Sequence, residues 1–260
     1  GSTSGPGEHG VEMDQEQVEG SPRGLARLCG LLYLVTIIVG IFNEAFVKGR
    51  IFVPGDATAT AANLRSMELL WRLGTAGELV MVLCTVVVAY ILYVLLRPVG
   101  RDLAVLMTLF NLIAIAVQAA YSLRLVEALF PLGSSRYLEA FTAAQLDAMA
   151  SLALKSHALG FGIALLLFGP FFLVSGYLIR KSTYFPRVIG ILYQVAGVAY
   201  LANGFGVVLA PRFAGAIFSA IVVPAFVGEV SFCLWLLVKG LDVEKWKALA
   251  DARTTLREAS

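Results

Sequence analysis

An all-α bundle of six membrane-crossing helices, with both termini in the cytoplasm, is what this sequence predicts. Three observations carry the expectation. Of the 260 residues, 58% are hydrophobic and 15% charged, with a mean hydropathy of +0.81, whereas a soluble domain carries roughly 25% charged residues. Fifteen of the charged residues fall in the tails 1–23 and 239–260, leaving 23 for the 215 residues between them. Six stretches, about 24–47, 70–97, 102–130, 153–180, 186–210 and 215–238, reach the ~20 apolar residues that a helix needs to cross a hydrocarbon core roughly 30 Å thick. Backbone cannot be left unpaired in lipid, so each stretch is a helix.

The segment 1–21 is acidic, rich in Gly, Ser and Glu, and has no apolar h-region. It reads as a disordered N-terminal tail and not as a signal peptide. Ser21-Pro22 then supplies an N-cap followed by proline at the first helical position, which starts the membrane domain 22–240. In the long connection 48–69, Asp56 can cap a short helix over Ala57–Leu64. The second and third spans are separated by the breaker Arg97-Pro98-Val99-Gly100, with Asp102 as the expected cap of the third. A second long connection, 131–152, holds Thr142-x-x-Gln145, a capping-box pattern expected to open another short helix on the outer face. Thr183 with Pro186 is expected to open the fifth span, and Pro224 to kink the sixth. Residues 241–260 read as a short amphipathic cytoplasmic tail, either a helix at the interface or a frayed end.

Short links make spans two and three, and four and five, antiparallel neighbours. Lys and Arg near the span ends set the orientation: ten fall on the cytoplasmic side if the N-terminus is inside, against six outside. Cys29, Cys84 and Cys233 each sit within an apolar run and read as small buried residues rather than a disulfide framework. The formal charge of +2 offers no basic stripe for nucleic acid. Two histidines, His9 and His157, are too few for a three-His zinc site or a bis-His haem, so no cofactor or metal is expected.

Function is argued from the polar residues that interrupt the spans, because an ionisable group at bilayer depth costs roughly 2.5–3.5 kcal/mol on insertion scales and so turns to the bundle interior. Glu78 and Glu229 lie deepest and are the candidate acid–base or cation-binding groups. Asn43, Glu44, Gln118, Tyr121, His157 and Asn203 are the candidate ligand contacts. Arg72 and Arg124 are expected either to hold an anionic group or balance the carboxylates, or to form surface ion pairs with Glu68 and Glu127 one turn away. Asn111, Gln118 and Tyr121 share one stripe of the third span. Gly190, Gly197 and Gly204 recur every seven residues in the fifth, a seam for close approach of another helix or of a second copy in a homodimer.

The order of these elements resembles an uncharacterised bacterial membrane family, domain of unknown function 4386 (DUF4386). The matching pieces are Arg27-Leu-Cys-Gly-Leu-Leu-Tyr33, Val53-Pro-Gly-Asp-Ala57 with Ala61-Ala-Asn63, Tyr93-Val-Leu-Leu-Arg-Pro-Val99, and His157 through Gly176-Tyr-Leu-Ile179, then Phe185-Pro-Arg187 and Gly190. The resemblance implies a multi-pass protein of the bacterial cytoplasmic membrane and implies no mechanism. Members of that family often carry a basic residue midway along the third span, where this chain has Asn111.

The expected function is binding, with or without conversion, of a small amphiphilic or lipophilic ligand in a polar cavity open to the outer side. Whether the protein is an enzyme is left open. A proton-coupled transporter component and a non-catalytic scaffold or sensor are the alternatives. Membrane lipids, and possession of a lipophilic ligand, complete the expected partners.

Overall fold

The computed structural model describes residues 21–258; the expected disordered tail and His9 lie outside them. Among the described residues there are helices and no strands. Helix α1 begins at Pro22, where Ser21 Oγ accepts from the Gly24 amide as its cap. It runs to Phe42, widens into a π turn over Asn43–Lys48, and closes at Gly49–Ile51. Helix α2 is Ala57–Ser66, capped by Asp56 as expected. Helices α3 (Glu68–Leu96), α4 (Arg101–Glu127), α5 (Ala143–Lys181), α6 (Arg187–Leu209) and α7 (Pro211–Val238) follow, and α8 (Val243–Glu258) ends the description.

Five of these, Pro22–Ile51, Glu68–Leu96, Arg101–Leu132 (α4 with the turn beyond it), Ala143–Lys181 and Arg187–Leu209, are long and apolar enough to cross a membrane. The sixth expected span coincides with α7, whose described apolar run, Val223–Val238, is shorter. The long helices form a closed ring: α1 packs on α3, α3 on α4, α4 on α5, α5 on α6, α6 on α7, and α7 returns to α1. A ring of six leaves a lumen, where a four-helix bundle would fill its own axis with side chains.

Local boundaries depart from expectation at three places, and the tail takes one of its two expected forms. The capping box at Thr142 and Gln145 forms, yet it opens the 39-residue α5 and not a separate helix; nothing in Ala143–Leu152 breaks a helix, so the outer turns run straight into the fourth span. The cap of α4 is Gly100, in extended conformation, and Asp102 sits inside the first turn, where its charge favours the helix N-terminus. Helix α6 is preceded by Pro186, and Ser182 rather than Thr183 serves the link, its Oγ accepting from the Phe185 amide. The tail after Gly240 is the helix α8, docked by a buried Trp246.

Both ends of the ring are covered. At one end α2 packs on the first turns of α5, and Val47, Ile51, Leu64, Trp71, Leu125 and Leu154 form a local core. Trp71 Nε1 donates to the Leu125 carbonyl at 2.8 Å, and Arg65 pairs with the buried Asp147 at 3.0 Å. At the other end the Leu95 carbonyl, in the last turn of α3, accepts from Tyr184 Oη at 2.6 Å and from Trp246 Nε1 at 3.0 Å. Those two donors satisfy a helix-terminal acceptor that the helix itself cannot.

The glycine seam of α6 is used within the chain. A Cβ on Gly190 would lie 2.5 Å from the Gly176 carbonyl oxygen, one on Gly197 2.8 Å from that of Gly169, and one on Gly204 2.4 Å from Leu166 Cβ. The seam therefore faces α5 and offers no groove to a second copy. Replacing Gly197 by Ala is expected to destabilise the protein by about 1–3 kcal/mol, because rigid backbone must move apart. Gly215→Ala, which meets nothing within 4 Å among the described residues, is expected to stabilise the helix by up to about 1 kcal/mol; thermal unfolding of the two variants in one detergent checks the contrast.

Candidate functional site

The lumen holds a cavity of about 380 Å³, within the 300–1,000 Å³ typical of small-molecule sites. Its wall is largely apolar: Val88 and Leu92 of α3, Phe161, Leu165, Phe168, Phe171 and Phe172 of α5, and Phe226 of α7. Ile41, Glu44 and Phe226 line the cavity and are also exposed, which puts a mouth on the flank of the ring between α1 and α7. Two polar stations interrupt the wall.

The first station is built on Glu78, 5% exposed. Its Oε1 accepts from Ser122 Oγ at 2.9 Å and lies 3.0 Å from His157 Nε2. Tyr121 packs edge-on against the His157 ring, centroids 4.8 Å apart. The carboxylate stands between the hydroxyl and the imidazole, whereas nucleophilic activation requires the imidazole between the other two. This is an acid–imidazole pair with a supporting hydroxyl and not a hydrolytic triad. The π turn of α1 brings Asn43, Glu44 and Lys48 to the same region; such turns recur at functional sites because they re-aim side chains that a regular helix would place elsewhere. Lys48 Nζ pairs with Glu44 at 2.5 Å, and Asn43 Nδ2 donates to the Gly74 carbonyl at 3.0 Å.

The second station is Glu229, whose Oε1 accepts from Tyr200 Oη at 2.5 Å. Tyr193 Oη donates to Tyr33 Oη at 3.1 Å, and all four residues line the cavity. Phe172 stacks among them, 4.8 Å from Tyr193 and 5.2 Å from Tyr200 between centroids. Between the stations, Asn111 and Gln118 face the lumen. Asn111 is 1% exposed and its Oδ1 has no protein partner, and the Asn43 Oδ1 is likewise unpaired. Buried amide oxygens without partners are uncommon and call for a ligand or water. Among the described residues no three His, Cys, Asp or Glu side chains come together in a metal-binding group.

Of the residues expected from sequence, Glu78, Glu229, Asn43, Glu44, Gln118, Tyr121 and His157 converge on this one cavity. Three do not. Arg72 pairs with Glu68 at 2.7 Å and Arg124 with Glu127 at 2.5 Å, both exposed on the ring surface. Each guanidinium finds its carboxylate one turn away and so has no cause to turn inward. Asn203 is buried in α6 but is not among the cavity-lining residues. The basic groups of the site are the Lys48 ammonium and the His157 imidazole. Lys48, Ser122, Tyr33, Tyr193 and Tyr200 were not foreseen. The tyrosines of α6 had a signal: Tyr193 and Tyr200 repeat at seven, three residues beyond Gly190 and Gly197.

The family described as "Domain of unknown function (DUF4386)" matches residues 28–240. The chain belongs to the DUF4386 family. A protein of Archaeoglobus fulgidus, described as an uncharacterized protein, is 30% identical over 166 residues, which is 63% of this DUF4386 member and 82% of that relative. No solved structure matches.

His157→Ala removes the imidazole from a buried carboxylate and is expected to lower stability by about 1–3 kcal/mol. Arg72→Ala, on the surface, is expected to stay within about 0.5 kcal/mol of the parent. Denaturation midpoints measured side by side would show the two indistinguishable if Glu78 did not depend on its partner.

Proposed function

We propose that this protein is a six-span protein of the bacterial cytoplasmic membrane that takes a small amphiphilic or lipophilic molecule from the bilayer into its lumen, where Glu78 and Glu229 supply acid–base or cation-binding capacity. The observation that carries the reading is the single cavity of about 380 Å³ to which both carboxylates contribute. A scaffold has no use for such a space, since an unfilled interior forgoes packing energy at roughly 24 cal/mol per Å³. The aromatic wall suits an apolar body, the unpaired Asn43 and Asn111 oxygens suit a hydrogen-bond donor, and the flank mouth suits arrival through lipid.

The Lys and Arg bias puts the α8 end of the ring in the cytoplasm, with both termini inside and α2 outside. In this orientation Glu78 is the outer station and Glu229 the inner. Two carboxylates at different depths of one lumen also favour a carrier that moves protons against its ligand, and that is the second reading. In the enzymatic version, the Glu78–His157 pair donates and recovers a proton.

Mass spectrometry of extracted protein is expected to find a co-purifying small molecule in the parent and not in Leu165→Trp, which fills the lumen from its wall. Recovery of the same molecule from both proteins would place it outside the cavity. External thiol reagents are expected to modify Thr58→Cys and Glu139→Cys in intact cells and to spare Lys181→Cys; the opposite pattern reverses the orientation.

A further inference from the structure

The two stations differ in the basic groups that stand beside their carboxylates. Glu78 has His157 at 3.0 Å and shares its end of the lumen with Lys48. Glu44 has Lys48 itself. Among the described residues Glu229 forms no ion pair, and its carboxylate accepts from the Tyr200 hydroxyl. It lies nine residues from the end of α7, so about 14 Å into the ring at 1.5 Å per residue. A carboxylate that deep requires a compensating charge from a proton or from a bound cation.

The groups around it specify which cation. Tyr33, Tyr193, Tyr200 and Phe172 gather at this station, and aromatic faces attract weakly hydrated organic cations. A divalent metal ion would instead ask for six or more oxygen ligands. An anionic headgroup would meet the uncompensated carboxylate. The rest of the lumen, walled by Phe161, Leu165 and Phe168, accepts an apolar tail. The apolar rim at Ile41 and Phe226 admits such a molecule from the hydrocarbon side.

We infer that the ligand is a lipophilic organic monocation, an ammonium-type amphiphile, whose charged head docks at Glu229 within the tyrosine cluster and whose apolar body lies along the α5 wall. The inference rests on the lumen being a ligand site.

The test uses the full chain in phosphatidylcholine nanodiscs, with empty nanodiscs correcting for partition, and three probes of equal chain length: octyltrimethylammonium, octanol and octyl sulfate. The ammonium probe is expected to bind saturably, one per chain, at least tenfold tighter than either of the others. Glu229→Gln should weaken it at least tenfold, and the surface change Glu139→Gln less than twofold. Equal or tighter binding of octanol or octyl sulfate, or undiminished binding to Glu229→Gln, overturns the inference. If octanol matches the ammonium and Leu165→Trp abolishes both, the lumen remains a ligand site and only the cation preference falls. If no probe saturates, the ligand-site reading falls with it. A measurement on the parent protein needs no folded variant: dicyclohexylcarbodiimide labelling of Glu229, read by peptide mass spectrometry, should be suppressed by octyltrimethylammonium and not by octanol. Labelling that ignores the ammonium probe contradicts the assignment.

Discussion

The structure depends on the energetic penalty for placing a carboxylate among hydrocarbon. Glu78 and Glu229 sit on helices that are otherwise too apolar to tolerate them, and a charge in such surroundings must find partners or water. A bundle whose axis was packed solid could not accommodate both. A ring of six helices can, because its interior is a surface of its own, hidden from lipid yet not filled. At the two ends of the ring sit α2, with its small core, and α8, with its buried Trp246.

Within the lumen, polar groups are segregated rather than mixed. The Glu78 station has a hydroxyl, an imidazole and a nearby ammonium, a set suited to holding or passing a proton. The Glu229 station has phenols and rings, a set suited to recognising a molecule. The five-phenylalanine wall that joins them keeps water scarce, which strengthens each electrostatic contact at either end. Asn111 and Gln118 lie along that wall as neutral hydrogen-bonding groups, placed where a ligand of intermediate polarity would pass.

Much of this was legible in the sequence. Hydrophobic runs of membrane length gave the order of the long helices, five of which are long and apolar enough to cross a membrane, because such length is set by the bilayer and not by local propensity. The caps at Ser21, Asp56 and Thr142 were readable since each needs only a side chain three residues from an orphan amide. The inward turn of Glu78, Glu229 and His157 followed from cost alone. For Arg72 and Arg124 the sequence left two outcomes open, and the carboxylate one turn away from each keeps the arginine outside. The π turn at Asn43–Lys48 had no sequence signature, and without it Lys48 reads as one more charge at the end of a span. The seven-residue repeat marked Tyr193 and Tyr200, but their meeting with Tyr33 was invisible because it joins helices that face each other only when the ring closes.

The close backbone approach of α5 and α6 has a mechanical meaning. Where carbonyl oxygens of one helix sit almost on the α-carbons of the next, sliding or tilting would drive atoms into one another, so these two helices behave as one stiff wall. Any breathing of the ring must then be taken up elsewhere. Helix α1 borders the mouth and is the least buried of the five membrane-length helices, yet it too is held closely, by Gly30 against Leu237 of α7 and by Gly74 and Gly77 of α3 against Val47 and Val39.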